Sequence, residues 1–327
     1  MRFKRGKPPY LRKRDKAVYM RLDVLIALAP LVAFSCIYYG MRPLYVMLHG
    51  IISAMLFDGI GNLFLRRPPG WADGTAAVTG GIIAAVMSPA APYWMPIAAA
   101  AFAIFAIKIP FGGAGRNIFN PAAGGLAFIT LCFDGRMFTY PAPNTPIGDI
   151  TQIVTGESLG SLLRSGAATS FKPADLLIGD FPGPIGTVAI AILLACAVYL
   201  LFRRSISVFT LLPFLAVCTG YAVLFPRVGT GWENSVMLEL CSGYLLFAGI
   251  FIVTDPVTSP KFWLGRIFYG AAGGILVMLM RTAGRFEEGC CFAILILNTF
   301  APAFDRLSWK AIYRTRTYWQ RLKGVRK

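Results

Sequence analysis

The chain has 327 residues, 56% of them hydrophobic and only 14% charged, with a mean hydropathy of +0.62. A soluble domain of this length carries about a quarter charged residues, so a fully water-exposed globule is excluded and a bilayer must cover much of the surface. The charge is lopsided, 32 Lys+Arg against 15 Asp+Glu. It gathers in two arms, "MRFKRGKPPYLRKRDK" and "RLSWKAIYRTRTYWQRLKGVRK". Beside so much apolar chain, these read as flanking charge held on the cytoplasmic side and against anionic lipid, not as a nucleic-acid surface.

In chain order, residues 1–20 form a basic cytoplasmic arm. The apolar run from Val24 is too long for a cleaved signal, and further runs follow it. Spans are expected at 24–41, 43–65, 74–91, 94–109, 118–134, 183–202, 206–225, 234–254, 265–282 and 288–304, since about 20 apolar residues cross a bilayer. Residues 21–134 would be one membrane unit, 135–182 an extracytoplasmic loop, 183–304 a second unit and 305–327 a basic tail. With ten spans both termini lie in the cytoplasm, which keeps Arg66, Arg67, Arg203 and Arg204 inside as well.

The two halves echo each other. "SPAAPYW" from Ser88 resembles "DPVTSPKFW" from Asp255, and "AGRNIFNPAAGGLAF" resembles "AGRFEEGCCFAILIL". Pro256 lies 167 positions after Pro89, and Gly284 lies 169 after Gly115. Five spans per half would make the copies inverted in the membrane. The expected fold is therefore an all-α polytopic membrane protein of about ten transmembrane helices in two inverted five-helix repeats. Such repeats place broken-helix segments near a central site, here Gly112–Pro121 and Thr254–Pro260.

The first segment, "FGGAGRNIFNPAAGG", offers glycines for close backbone approach, Gly113 among them. Asn117 and Asn120 bring amide donors and acceptors. Pro121 suits the first turn of a helix whose N-terminus can face an anion. The second, "GIFIVTDPVTSP", carries Thr254, Asp255 and Thr258; Asp255 can contact a cation, hydrogen-bond a ligand or cap a helix. "RTAGRFEEGC" reads as an exposed turn with offset charges. The seven cysteines have no paired metal-ligand spacing, His49 reads as a helix-end residue, and no soluble catalytic signature is present.

"GGAGRNIFNPA", "FAGIFIVTDPVTSP" and "GRIFYGAAGGILVMLMRTAGRFEEGCCFAILILNTFAPAFDRL" resemble the RnfD component of the Rnf electron-transport complexes, which is itself similar to the NqrB component of the sodium-pumping NADH:quinone reductases. The likeness runs from about residue 20 to 310. It implies a protein that is not catalytic alone, in a translocase of the bacterial or archaeal inner membrane, beside the A, B, C, E and G components. That complex passes electrons between ferredoxin and NAD and moves Na+ or H+. The resemblance also implies flavin: FMN esterified to an extracytoplasmic threonine in a pattern like Ser-x-Ala-Thr-Pro-Leu, and riboflavin or a second, non-covalent flavin.

The landmarks "LLRSG" and "DLLIG" place that threonine at Ser158, where Glu157 and Leu159 also depart from the pattern. The string "SGAAT" offers Thr169 instead. Ser158 modified, Thr169 modified, or neither are the three outcomes. The flavin-binding candidates are Gly113, Asn117, Asn120, Pro121, Thr254, Asp255 and Thr258, with Asp255 also on the ion path. Two other readings are a solute channel of inverted-repeat type and a flavin-free scaffold within the same complex.

Overall fold

The computed structural model describes residues 10–67, 73–113, 115–144, 147, 155–166, 173–229 and 231–322. The described chain is almost entirely helical. The helices are α1 (Tyr10–Tyr39), α2 (Arg42–Phe64), α3 (Thr75–Val86), α4 (Trp94–Phe102), α5 (Pro121–Met137), α6 (Leu159–Ser165), α7 (Pro173–Ile178), α8 (Ile190–Phe202), α9 (Val208–Leu224), α10 (Trp232–Cys241), α11 (Leu245–Phe247), α12 (Trp263–Ala283) and α13 (Cys290–Leu322). The one sheet among the described residues pairs β1 (Tyr140–Pro141) with β2 (Thr155–Gly156) antiparallel. The loop expected at 135–182 thus carries this hairpin and two short helices.

By length and hydropathy, four helices can each cross a bilayer: Val18–Tyr39, Arg42–Phe64, Trp263–Ala283 and Cys290–Tyr313. The pair Trp232–Cys241 and Leu245–Val253, bent by 64°, makes a fifth candidate, and Thr75–Val86, Trp94–Lys108, Ile190–Phe202 and Val208–Leu224 are shorter apolar helices. The chain is an all-α, multi-pass membrane protein. Large apolar side chains such as Leu63, Phe64, Phe202 and Leu224 point outward, as a lipid-facing surface requires.

Close packing in each half rests on glycine. At the α2–α3 crossing, a Cβ on Gly80 would lie 2.1 Å from the Gly50 carbonyl oxygen; at the α9–α12 crossing, one on Gly270 would lie 2.3 Å from that of Thr210. Lipid gives no hydrophobic drive between helices, so small residues that let backbones touch supply the attraction.

Two helices widen at their ends. α4 continues as a π-helical turn over Ala103–Lys108, and α11 as another over Ala248–Val253. A π turn is rare and turns up often at functional sites. Here the two deliver Lys108 and the Thr254–Asp255 corner to the same end of the bundle, the cavity end. The opposite end carries the hairpin, α6, α7 and the turn 284–289.

Candidate functional site

The two glycine- and proline-broken segments meet. A cavity of about 170 Å³ lies between the halves, and Asn117, Asn120, Pro121, Thr254 and Asp255 line it, with Arg21, Thr75, Lys108 and Ser205 among its other walls. Gly113 and Thr258 are not on its wall. Gly113 has φ +86° in the turn before α5, a conformation a side chain rarely adopts. Thr258 stands behind Asp255.

Asn120 organises the junction. Its Oδ1 accepts the N–H groups of Ala122 (3.0 Å) and Ala123 (3.2 Å), capping α5 ahead of Pro121. This is the N-cap and Pro-N1 combination that starts helices well. Its Nδ2 donates to Asp255 Oδ2 at 3.2 Å, and its own N–H donates to Asn298 Oδ1 of α13 at 2.9 Å. Asn298 Nδ2 in turn donates to the Tyr269 hydroxyl at 2.7 Å.

Asp255 accepts from the Thr258 hydroxyl (3.0 Å) and the Val257 N–H (3.2 Å) as well as from Asn120. Burial pushes its carboxyl above the usual carboxylate range, against the pull of these donors. Asn117 Oδ1 is buried with no hydrogen-bond partner. Leaving such an acceptor empty costs about 1–3 kcal/mol, so it points to a donor from something that enters the cavity.

Two residues that the motifs do not single out complete this end of the bundle. Lys108 Nζ lies 2.9 Å from Asp58 Oδ1, and the two side chains are 2% and 3% exposed. The ammonium also donates to Thr75 Oγ1 at 2.8 Å. That leaves one of its three N–H bonds without a described partner, on a residue that lines the cavity. The sequence does carry a signal for both: single charges inside "AFAIKIP" and "MLFDGIG" are costly in a membrane unless paired. Asn298 and Tyr269 carry no comparable mark.

The turn 284–289 corrects an expectation in part. Its charges suggest an exposed turn, and Arg285 is exposed, yet Arg281 at the end of α12 is 1% exposed and Glu288 fully buried. Arg281 Nη2 donates to Glu288 Oε1 at 2.8 Å, and its Nη1 to Glu239 Oε2 at 3.1 Å; Arg227 also bonds Glu239. Arg227 and α10 lie beside the turn, so two arginines and two carboxylates neutralise each other largely out of water. Position relative to apolar runs does not reveal that packing.

Ser158 is buried and caps α6: its Oγ accepts the Ser161 N–H at 3.0 Å and donates to Glu287 Oε1. Thr169 lies outside the described residues. Asp23, at the cavity end, binds Arg203 Nε at 3.0 Å and Ser205 Oγ at 2.8 Å, tying α1 to the end of α8.

Comparison with known proteins agrees with this architecture. Residues 5–314 match the NQR2, RnfD, RnfE family. The chain is 29% identical over 308 residues to the D subunit of the Na(+)-translocating ferredoxin:NAD(+) oxidoreductase complex of Acetobacterium woodii, covering 93% of each chain. It is 29% identical to the D subunit of the ion-translocating oxidoreductase complex of Halorhodospira halophila, covering 94% of this chain and 95% of the relative. It is 26% identical to the D subunit of the proton-translocating ferredoxin:NAD(+) oxidoreductase complex of Clostridium ljungdahlii, with the same coverage. The match spans both membrane units and the loop between them, and the chain belongs to the NQR2, RnfD, RnfE family.

Proposed function

We propose that this chain is the D-type membrane component of an ion-translocating oxidoreductase complex that couples electron transfer between ferredoxin and NAD to movement of Na+ or H+. Its partners are the A, B, C, E and G components. The near full-length likeness to relatives so named supports this. We further propose ten crossings in two inverted five-helix repeats, counting α5 beside the nine candidates that length and hydropathy give, with the cavity end and both termini in the cytoplasm and the hairpin end outside.

The cavity is proposed to hold one edge of a non-covalent flavin, an FMN or riboflavin. The observation that carries this is the buried, unpartnered Asn117 Oδ1 beside the Asn120–Asp255 pair. A planar heterocycle with ring N–H donors and carbonyl acceptors matches that donor set. Asn117 Oδ1 or Asp255 would accept from the one ring N–H of an oxidised flavin, the other from an N–H that reduction adds, and Lys108 would donate to a carbonyl oxygen. At about 170 Å³ the cavity is smaller than the roughly 300 Å³ of a pocket that encloses a drug-sized ligand. One ring edge fits, and the remainder would extend toward the cytoplasmic face or a neighbouring protein of the complex. A bound flavin supplies one- and two-electron transfer. The chain's own residues would bind and orient it, keep water from its buried edge and set the local charge.

Purified complex should be yellow after removal of free flavin, and the colour should fall away in Asn117→Ala and Asp255→Asn. An active complex in which this chain carries no extractable flavin would overturn the cavity assignment. Membership of the complex is tested separately, by deleting the chain and measuring ferredoxin-dependent NAD reduction in membranes.

A further inference from the structure

The resemblance places a flavin ester at Ser158, and the structure around that hydroxyl argues against one. Ser158 Oγ is committed twice, as acceptor for the Ser161 N–H and as donor to Glu287. The residue is 5% exposed. Beside it, Gly160 lies so close that a Cβ would stand 2.6 Å from Glu287 Oε1. One turn on, Arg164 donates to the Arg285 and Gly284 carbonyl oxygens at 2.6 and 3.0 Å. Leu159 and Leu163 on the same helix are buried. α6 is thus held to the turn 284–289 at Ser158, Gly160 and Arg164, and it packs on α10 as well.

Esterification from FAD would break its pyrophosphate, release AMP and the hydroxyl proton, and replace the Ser158 O–H bond with an O–P bond. The oxygen could then no longer donate to Glu287, and a negatively charged phosphodiester would lie against that carboxylate, with Glu288 next in the chain. Glu288 already shares Arg281 with Glu239, Arg164 is spent on backbone carbonyls, and the turn's other cation, Arg285, is exposed to water, where it offsets a buried charge weakly. A buried anion without a partner is costly. Glu287 is already short of counter-charge: burial pushes its carboxyl up to about 7. A transferase would also have to lift α6 off the turn to reach the hydroxyl.

We infer that Ser158 carries no flavin in this chain, and that the Ser158–Glu287 pair is a standing clasp closing α6 onto the turn 284–289. A flavin ester would survive denaturation, whereas a cavity flavin is released, so the two sites are read independently.

The test uses the purified complex treated with FAD, Mg2+ and a flavin transferase. A free peptide with the pattern Ser-x-Ala-Thr-Pro-Leu in the same tube shows that the transferase is active. After denaturation, the peptide containing Ser158 is expected at its unmodified mass, before and after treatment. An FMN mass on Ser158 in either sample would overturn the inference. For the clasp, the S158C/E287C variant under mild oxidation should give a linked 158–287 peptide. Recovery of the two peptides only as free thiols would overturn it. The wild-type mass needs no variant to fold.

Discussion

Asn120 Nδ2 donates to Asp255 Oδ2 at 3.2 Å across 135 positions of sequence. This one bond joins the start of α5 in the first half to the end of the widened turn in the second. Asp255→Asn keeps the shape but turns a pure acceptor into a group that presents N–H to Asn120 or Thr258. We expect at least a tenfold loss of NAD reduction coupled to ion transport, with the chain still assembled, measured in membrane vesicles. Unchanged coupled transport in assembled D255N complex would remove Asp255 from the site.

Asn120 also caps a helix, so Asn120→Ala should cost stability as well as function. Loss of an N-cap costs about 1 kcal/mol, and Asp255 loses a donor. Asn120→Asp keeps the cap but sets two carboxylates together. Thermal unfolding of the solubilised complex should therefore rank wild type first, then N120D and N120A, with neither variant retaining full activity.

The Lys108–Asp58 pair is enclosed, and removing either partner leaves an uncompensated charge in the bundle. Such single losses cost about 3–5 kcal/mol, whereas replacing both partners with apolar residues can be neutral. Lys108→Met and Asp58→Leu should each lower assembly sharply, and the double variant should recover it. If the double variant assembles, its activity reads the contribution of the free ammonium N–H to the cavity without the confounding loss of fold.

Glu287 gives a pH dependence. Its folded carboxyl titrates at about 7, raised mainly by burial and further by Glu288, while Ser158, Arg281 and Arg164 pull it down. The folded chain thus holds a proton that the unfolded chain releases between the ordinary carboxylate value and about 7. Stability is full below that window and declines as pH rises through it. Glu287→Gln should raise the unfolding temperature at pH 8 and leave it little changed at pH 5. The gain should be on the order of 1–2 kcal/mol after allowance for partial exposure. Equal slopes for wild type and E287Q would contradict this.

Much of the architecture was legible because membrane helices announce themselves by apolar length, and glycine–proline breaks mark where they stop. The meeting of Asn120 with Asp255 followed from the echo between halves. Lys108 and Asp58 were visible as isolated charges but not as a pair, since 50 positions separate them and only the α2 packing against the end of α4 brings them together. Arg281 and Glu288 misled for the opposite reason. A charged turn between two spans looks wet, and at Arg285 it is; only the packing of Arg227 and α10 beside it takes Arg281 and Glu288 out of water.

α13 begins at Cys290, two residues after Glu288, and carries Asn298 two turns later, against the N–H of Asn120. Eight residues of helix span about 12 Å. The arginine–glutamate knot at the hairpin end and the Asn298–Asn120 contact deeper in the bundle are therefore the two fittings of a single stiff strut. A piston stroke of α13 along its axis loads both fittings, so mechanical play at the two is shared.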